Sequence, residues 1–196
     1  MTPKNAADLT PLLRDRWSPR SFDPTHEVGD GDLRLLLRAA QWAPSAGNSQ
    51  PWAFLVAQRG EESHAKLVAS LSRGNVGWVP AASVVLITLA HTATGDEPDA
   101  PSFSDYADYD LGQAVAHLTV QASALGLDVH QFAGFDHAAV AEAFDVPSYF
   151  TVKTGLAIGR HLDPDDEGLR QWESRKRSRR ELDEFVFTRK WGEPWA

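Results

Sequence analysis

The 196-residue chain contains no cysteine, a single methionine and no apolar run approaching the length of a membrane span. Without cysteine there is no disulfide, no thiolate nucleophile, no cysteine-ligated zinc and no iron–sulfur cluster, and the composition suits a reducing compartment. Residues 1–8 lack the apolar centre of a signal peptide, so a cytoplasmic location without membrane partners is expected. No Gly-x-x-x-x-Gly-Lys-Ser/Thr loop occurs, and Gly29-Asp30-Gly31 does not continue into the dinucleotide fingerprint. Phosphate, if bound, must then be held by side chains. The seven histidines form no His-Glu-x-x-His pattern, and His130 and His137 fall either side of an expected strand and turn, so no metal site is expected. A Gly-x-Ser-x-Gly elbow is absent, and Asp105, Asp108 and Asp110 fit an acidic helix start better than a hydrolytic pair. Positive charge is scarce overall. The net charge of -8 argues against a nucleic-acid surface, with a local exception at Arg175, Lys176, Arg177, Arg179 and Arg180.

What is present is organised around Ala43-Pro44-Ser45-Ala46-Gly47-Asn48-Ser49-Gln50-Pro51-Trp52. Pro44 stops the preceding helix, Gly47 allows a positive φ, and Pro51 is expected to push Gln50 toward an extended backbone. Ser45, Asn48, Ser49 and Gln50 offer donors and acceptors of the kind the edge of a heteroaromatic ring requires. Read alone, the loop is equally a polar helix-to-strand connector. Near the start, Arg16 and Arg20 flank Trp17, Ser18 and Pro19, which reads either as an anion site or as a solvated basic turn.

Apolar spacing predicts helices over about 33–42, 61–71, 104–125, 137–144 and 165–173, and strands over 52–57, 81–89, 127–132 and 151–158. The near-continuous apolar run of residues 81–89 suggests a sheet covered on both faces, as in α/β layering. Residues 92–104 read as a loop that could move beside a site. No repeat or linker is visible, and one domain spanning 1–196 is expected.

Arg16-Trp17-Ser18-Pro19-Arg20-Ser21-Phe22, Ala43 to Trp52, Gly126 to Asp136 and Arg177-Ser178-Arg179 resemble, in order and at similar separations, the motifs of the nitroreductase family of FMN-dependent oxidoreductases. The resemblance runs from about residue 14 to 187. It implies an α+β fold with a central, mainly antiparallel sheet flanked by helices, in an intertwined homodimer whose two FMN sites lie at the interface, with NADH or NADPH as electron donor. Position by position it implies that Arg16, Trp17 and Ser18 approach the cofactor, that Arg20 sits near the N1 and O2 edge of the flavin, and that Arg177 and Arg179 hold the phosphate. From the other subunit come Pro44, Ser45, Ala46 and Asn48, while Gln50 also binds the cofactor and Asn75 is a further amide contact. Gln131, Phe132, Ala133 and Gly134 pass the flavin, with a backbone N–H of Ala133 or Gly134 facing N5.

The chemistry of those residue types agrees with the roles. Reduced flavin carries negative charge near N1 and O2, where the guanidinium of Arg20 is an electrostatic stabiliser, and the turn at Ala133-Gly134 permits close approach without side-chain bulk. The activity implied is ping-pong reduction of an electron-poor small molecule such as a nitroaromatic or a quinone, with no side chain as general acid. A flavin-dependent dehydrogenase of the same fold, a flavin-sequestering module and a cofactor-free acidic scaffold are the alternatives. Lys176 stands where many relatives have proline, residues 92–109 are short for a substrate lid, and the pair His130-Gln131 resembles only a subset of the family.

Overall fold

The computed structural model of the protein describes residues 6–175 and 177–195. Lys176, singled out above, and residues 1–5 lie outside them.

A short helix, α1 (Pro11–Arg14), leads into the segment that carries Arg16 and Arg20. Helix α2 (Asp30–Gln41) then starts with Asp30 and Asp32 at its positive end and buries Leu33, Leu36 and Ala40 along one stripe. Strand β1 (Trp52–Gln58), helix α3 (Glu62–Ala69) and strand β2 (Val84–His91) follow, then the long helix α4 (Ala107–Ala124). Gly126 ends α4 at φ 71°, a conformation glycine takes without a Cβ clash. The chain continues as β3 (Asp128–Phe132), α5 (His137–Ala143), β4 (Phe150–Gly159) and α6 (Glu167–Glu173).

The four strands form one sheet in the order β1-β2-β4-β3, and every pairing is antiparallel. The α/β layering suggested by the apolar run of β2 is therefore corrected. The run is buried on both faces because β2 lies inside the sheet, with helices on each side. Val84, Leu86 and Ala90 face the core built on α2 and α4, while Val85, Ile87 and Leu89 face a second core with Leu67, Trp78, Phe132, Phe135 and Val140. At the register shift between Ile87 and Leu89, the Thr88 hydroxyl accepts from the backbone N–H of Thr154 at 3.0 Å, a local substitute for a ladder bond.

Residues 92–104 form a loop, as expected, and one with fixed internal contacts. Thr94 N–H donates to Pro101 O and Phe103 N–H to Thr92 O, and the Phe103 ring stacks on His91 at 3.7 Å between centroids. Backbone groups satisfied locally and an anchored aromatic tie the segment to the end of β2.

Candidate active site

Trp78, which no motif in the sequence singles out, is the hub of the arrangement. Its ring is 4% exposed and lies 4.4 Å from that of His130, 5.7 Å from Phe132 and 6.2 Å from Phe22, with the Arg20 guanidinium 5.8 Å away. Its indole N–H donates to Gly74 O and to Asn75 Oδ1 at 3.1 and 3.2 Å. One buried indole thus ties the segment of residues 16–22 to the end of β3 and to the loop of residues 72–78.

The register of β3 decides which side chains face this layer. His130 and Phe132 lie on the Trp78 side, whereas Gln131, paired with Leu156, is exposed on the other. Phe132 spends its ring in the core: a Cβ added to the cross-strand Gly155 would come within 2.3 Å of its Cζ. Only its backbone, followed by the exposed Ala133, borders the turn. His130 Nδ1 donates to Pro19 O at 2.7 Å, and burial is the main cause that lowers its pKa, with the Arg20 charge adding to it.

The turn after β3 is braced from the loop of residues 70–75. Gly134 O accepts from Ser72 N–H and from Asn75 Nδ2 at 2.8 Å, and Asp136 N–H donates to Ser70 O. Asn75 is buried, with its amide nitrogen on Gly134 and its amide oxygen on Trp78. The structure thus gives it a bracing part in the protein itself. Among the described residues the N–H of Gly134 has no hydrogen-bond partner.

Around the first basic segment, Arg16 Nη1 donates to Ser18 Oγ at 3.3 Å and the Trp17 ring meets His161 edge-on at 5.0 Å. Arg177 is brought to the same place by donating to Arg16 O at 2.7 Å and Arg14 O at 3.3 Å. Burial, and after it the charges of Arg179 and Arg177, pull the pKa of the Arg16 guanidinium down. Among the described residues none of these three guanidiniums forms an ion pair with a carboxylate, and Asp15 is taken by Arg14 at 2.8 Å. Arg20 likewise has no ion pair, and its Nε is buried without a hydrogen-bond partner.

The loop Ala43 to Trp52 is held by more than its glycine and prolines. Gly47 takes φ 59°, as expected, but Asn48 and Gln50 also take positive values of 56° and 49°. The extended Gln50 inferred from Pro51 is corrected. Its N–H is drawn to Ser45 Oγ at 3.0 Å and its carbonyl accepts from Trp52 N–H at 2.9 Å, which together hold the left-handed conformation. The buried carboxylate of Asp110, from the first turn of α4, accepts from Ala46 N–H at 3.0 Å and pins the loop to the helix. Asp110 thus does more than open a helix. Pro44, Ala46, Asn48 and Gln50 are exposed, and Ser49 Oγ is buried without a partner.

These donors fit FMN. A dianionic phosphate satisfies guanidiniums that have no counter-ion, and the unpartnered Arg20 Nε is the kind of donor a ring carbonyl accepts from.

A nitroreductase family model matches residues 13–75. A protein of Xanthomonas oryzae pv. oryzae, named as an NADH dehydrogenase/NAD(P)H nitroreductase, is 32% identical over 180 residues, which cover 82% of this chain and 90% of that protein. The CLA biosynthesis enone reductase of Lactiplantibacillus plantarum is 26% identical over 186 residues, covering 78% and 85% respectively. A crystal structure described as an oxidoreductase containing FMN superposes with a TM-score of 0.87 at 32% identity, over 97% of this chain and 96% of that one. Agreement in sequence and in fold over nearly the full length of both partners is what common descent produces, and the chain belongs to the nitroreductase family.

Proposed function

We propose that the protein is an FMN-dependent oxidoreductase that works as a homodimer, draws electrons from NADH or NADPH and reduces electron-poor conjugated small molecules: nitroaromatics, quinones or enones. The observation that carries this is the cluster of Arg16, Arg177 and Arg179, gathered from opposite ends of the sequence and, among the described residues, bonded to no carboxylate. Holding like charges together costs free energy in the absence of an anion, and such a cost is retained where a ligand recovers it.

When bound, FMN supplies the two-electron chemistry, accepting from the nicotinamide and donating to the acceptor in alternating half-reactions. The chain's part is to hold and to polarise. Arg177 and Arg179 grip the phosphate, with Arg16 and Ser18 beside them, and Arg20 provides a fixed positive charge for the ring edge on which negative charge accumulates. The turn at Ala133 and Gly134 forms a wall with little side-chain bulk after Gln131, and the N–H of Gly134 remains available as a donor. The loop from Pro44 to Gln50 offers its amides and the Ser45 hydroxyl from the partner subunit. Acceptors with a conjugated carbonyl are supported by the name of the enone-reductase relative, and nitroaromatics by that of the Xanthomonas relative.

Purified protein is expected to carry or take up FMN, and its flavin absorbance to bleach anaerobically with NADH or NADPH and return with a quinone or nitroaromatic. A double variant, Arg177→Ala with Arg179→Ala, should fold and bind FMN at least about 100-fold more weakly, since each charge-assisted contact is worth about 1.5–3 kcal/mol. Unchanged FMN affinity in that variant refutes the phosphate assignment. Flavin that binds but does not bleach points to a sequestering module or another donor, and absence of any flavin binding refutes the function.

A further inference from the structure

Arg20 has a buried Nε without a hydrogen-bond partner and, among the described residues, no ion pair, while the buried carboxylate of Glu173 bonds its backbone N–H and not its guanidinium. Its guanidinium carbon lies 4.1 Å from the centroid of the Trp172 ring, nearer than to Trp78. The next residue of α6 is Glu173, whose carboxylate is 6% exposed. Glu173 Oε1 accepts from the backbone N–H groups of Arg20 and Ser21 at 2.6 and 2.9 Å, and Oε2 meets His161 Nε2 at 3.0 Å. The negative charge is thus spent on the main chain and on His161. Among the described residues no carboxylate is bonded to the guanidinium itself.

From this geometry we infer that α6 is the positioning element for Arg20, with Trp172 fixing the guanidinium plane and Glu173 fixing the backbone that carries it. The inference rests on the assignment of Arg20 to the ring edge of FMN. Three observations converge on it. First, consecutive peptide units are clamped from opposite sides: Pro19 O by His130 Nδ1 at 2.7 Å, and the N–H groups of Arg20 and Ser21 by Glu173. Second, α6 has only seven residues and none of them belongs to either hydrophobic core, so core packing does not account for it, whereas its contacts to Arg20 and Ser21 do. Third, the contact chosen for the guanidinium is an aromatic face. Such a face attracts the cation and fixes its plane without neutralising it, whereas a carboxylate in the same place would compete with an anionic ligand.

Glu173 and Trp172 are therefore positioning residues: neither is required to touch the cofactor, and both act through Arg20. The measure is an energetic cycle rather than turnover. FMN affinity is read from the quenching of flavin fluorescence on titration into apoprotein, and the midpoint potential of the bound flavin by equilibration with redox dyes, for wild type, Arg20→Gln, Trp172→Leu, Trp172→Phe, Glu173→Ala and the double variant Arg20→Gln with Trp172→Leu.

Arg20→Gln is expected to reduce the equilibrium constant for flavin reduction about tenfold, which is about 30 mV for a two-electron couple. Trp172→Leu and Glu173→Ala should each produce at least about a third of that shift in potential, Trp172→Phe should restore most of it, and the double variant should be no worse than Arg20→Gln alone. That non-additivity is what a merely structural role would not give. A potential unmoved by Trp172→Leu, or full additivity with Arg20→Gln, overturns the inference while leaving the Arg20 assignment standing. A potential unmoved by Arg20→Gln removes the assignment and this inference with it, and failure of the wild type to bind FMN removes the proposed function itself. Should Trp172→Leu fail to fold, Trp172→Met tests the same loss of the aromatic face.

Discussion

Gly134→Ala is the sharpest test of how the turn after β3 is built. The position has no left-handed backbone, so any residue could adopt its φ, and the obstacle is contact alone. An added Cβ would lie 2.6 Å from Ser72 Oγ and 2.7 Å from Asn75 Nδ2. Ser72 is exposed and can rotate away at little cost. Asn75 cannot, because it is buried with Nδ2 bonded to Gly134 O at 2.8 Å and Oδ1 bonded to the Trp78 indole at 3.2 Å. Overpacking costs about 1–3 kcal/mol, a buried amide left unpaired about 1–3 kcal/mol, and the stiffer unfolded chain returns about 0.4–1 kcal/mol, for a net loss of roughly 2–4 kcal/mol. For a chain of this size that lowers Tm by roughly 5–15 °C. The assay is thermal unfolding followed by near-ultraviolet circular dichroism, at one protein concentration because association would add its own contribution. The same substitution made in an Asn75→Ser background should cost about 1 kcal/mol less, since the blocking amide is gone. A Gly134→Ala variant within about 0.5 kcal/mol of wild type, or strict additivity with Asn75→Ser, refutes the bracing account.

The remaining predictions concern the loop and pH. Asp110→Ala removes the carboxylate that accepts from Ala46 N–H, so it should cost about 1.5–3 kcal/mol, toward the lower value because Ala46 is exposed. Hydrogen exchange at the Ala46 amide should accelerate while amides of β2 keep their protection, and equal loss at both would mean that Asp110 supports the core rather than the loop. Burial lowers the pKa of His130 and of His64 from 6.5, so the unfolded chain takes up protons before the native one does. Their stabilisation is therefore complete above about pH 6.5 and is lost as pH falls below it toward the depressed native values. Asp128 works in the other direction, because burial raises its pKa above 3.8 and its contribution declines as pH rises through that range. Urea unfolding of His130→Gln and of wild type at about pH 7.5 and pH 5.5 isolates His130, since Asp128 and His64 cancel in the comparison. The variant should lose less stability on acidification than wild type, and parallel losses would refute the assignment.

Much of this architecture was legible in the sequence because it follows from local rules. The apolar stripe Leu33, Leu36, Ala40 specified α2, Gly126 ended α4, and Gly47 supplied the positive φ of the loop. Strand direction was not legible from periodicity, because burial on both faces is common to any inner strand and says nothing about its neighbours' polarity. The Gln50 conformation failed for a related reason: the local bias from Pro51 was outweighed by a bond from Ser45, five residues away. Trp78, Glu173 and Trp172 were missed altogether. Each acts through partners distant in sequence, Glu173 on Arg20 and Ser21 across 153 and 152 positions, and no spacing rule reaches so far. The one available signal for Trp172 was a tryptophan next to an acidic residue on a short polar helix, which most surfaces could also carry.

The candidate site residues fall into two groups within one chain, and the division bears on the proposed assembly. Arg16, Trp17, Ser18 and Arg20 connect through Trp78 and His130 to Asn75, Phe132 and Gly134, and Arg177 is bonded to the same segment. The loop from Pro44 to Gln50 stands instead on Asp110 of α4, and among the described residues no hydrogen bond, ion pair or ring contact joins it to the first group. Yet the loop is held by bonds of its own, with Asn48 and Gln50 kept at positive φ. Backbone strain of about 1–3 kcal/mol per residue persists where the surroundings over-determine it, and it clusters at ligand clamps and active sites. A rigid polar loop beside the exposed Trp42, Tyr106 and Tyr109 is accounted for if those aromatics meet a second copy, which would carry the loop of one protomer to the cation-bearing half of the other. In that arrangement neither protomer alone has a complete site, so cofactor binding and association would each strengthen the other by mass action.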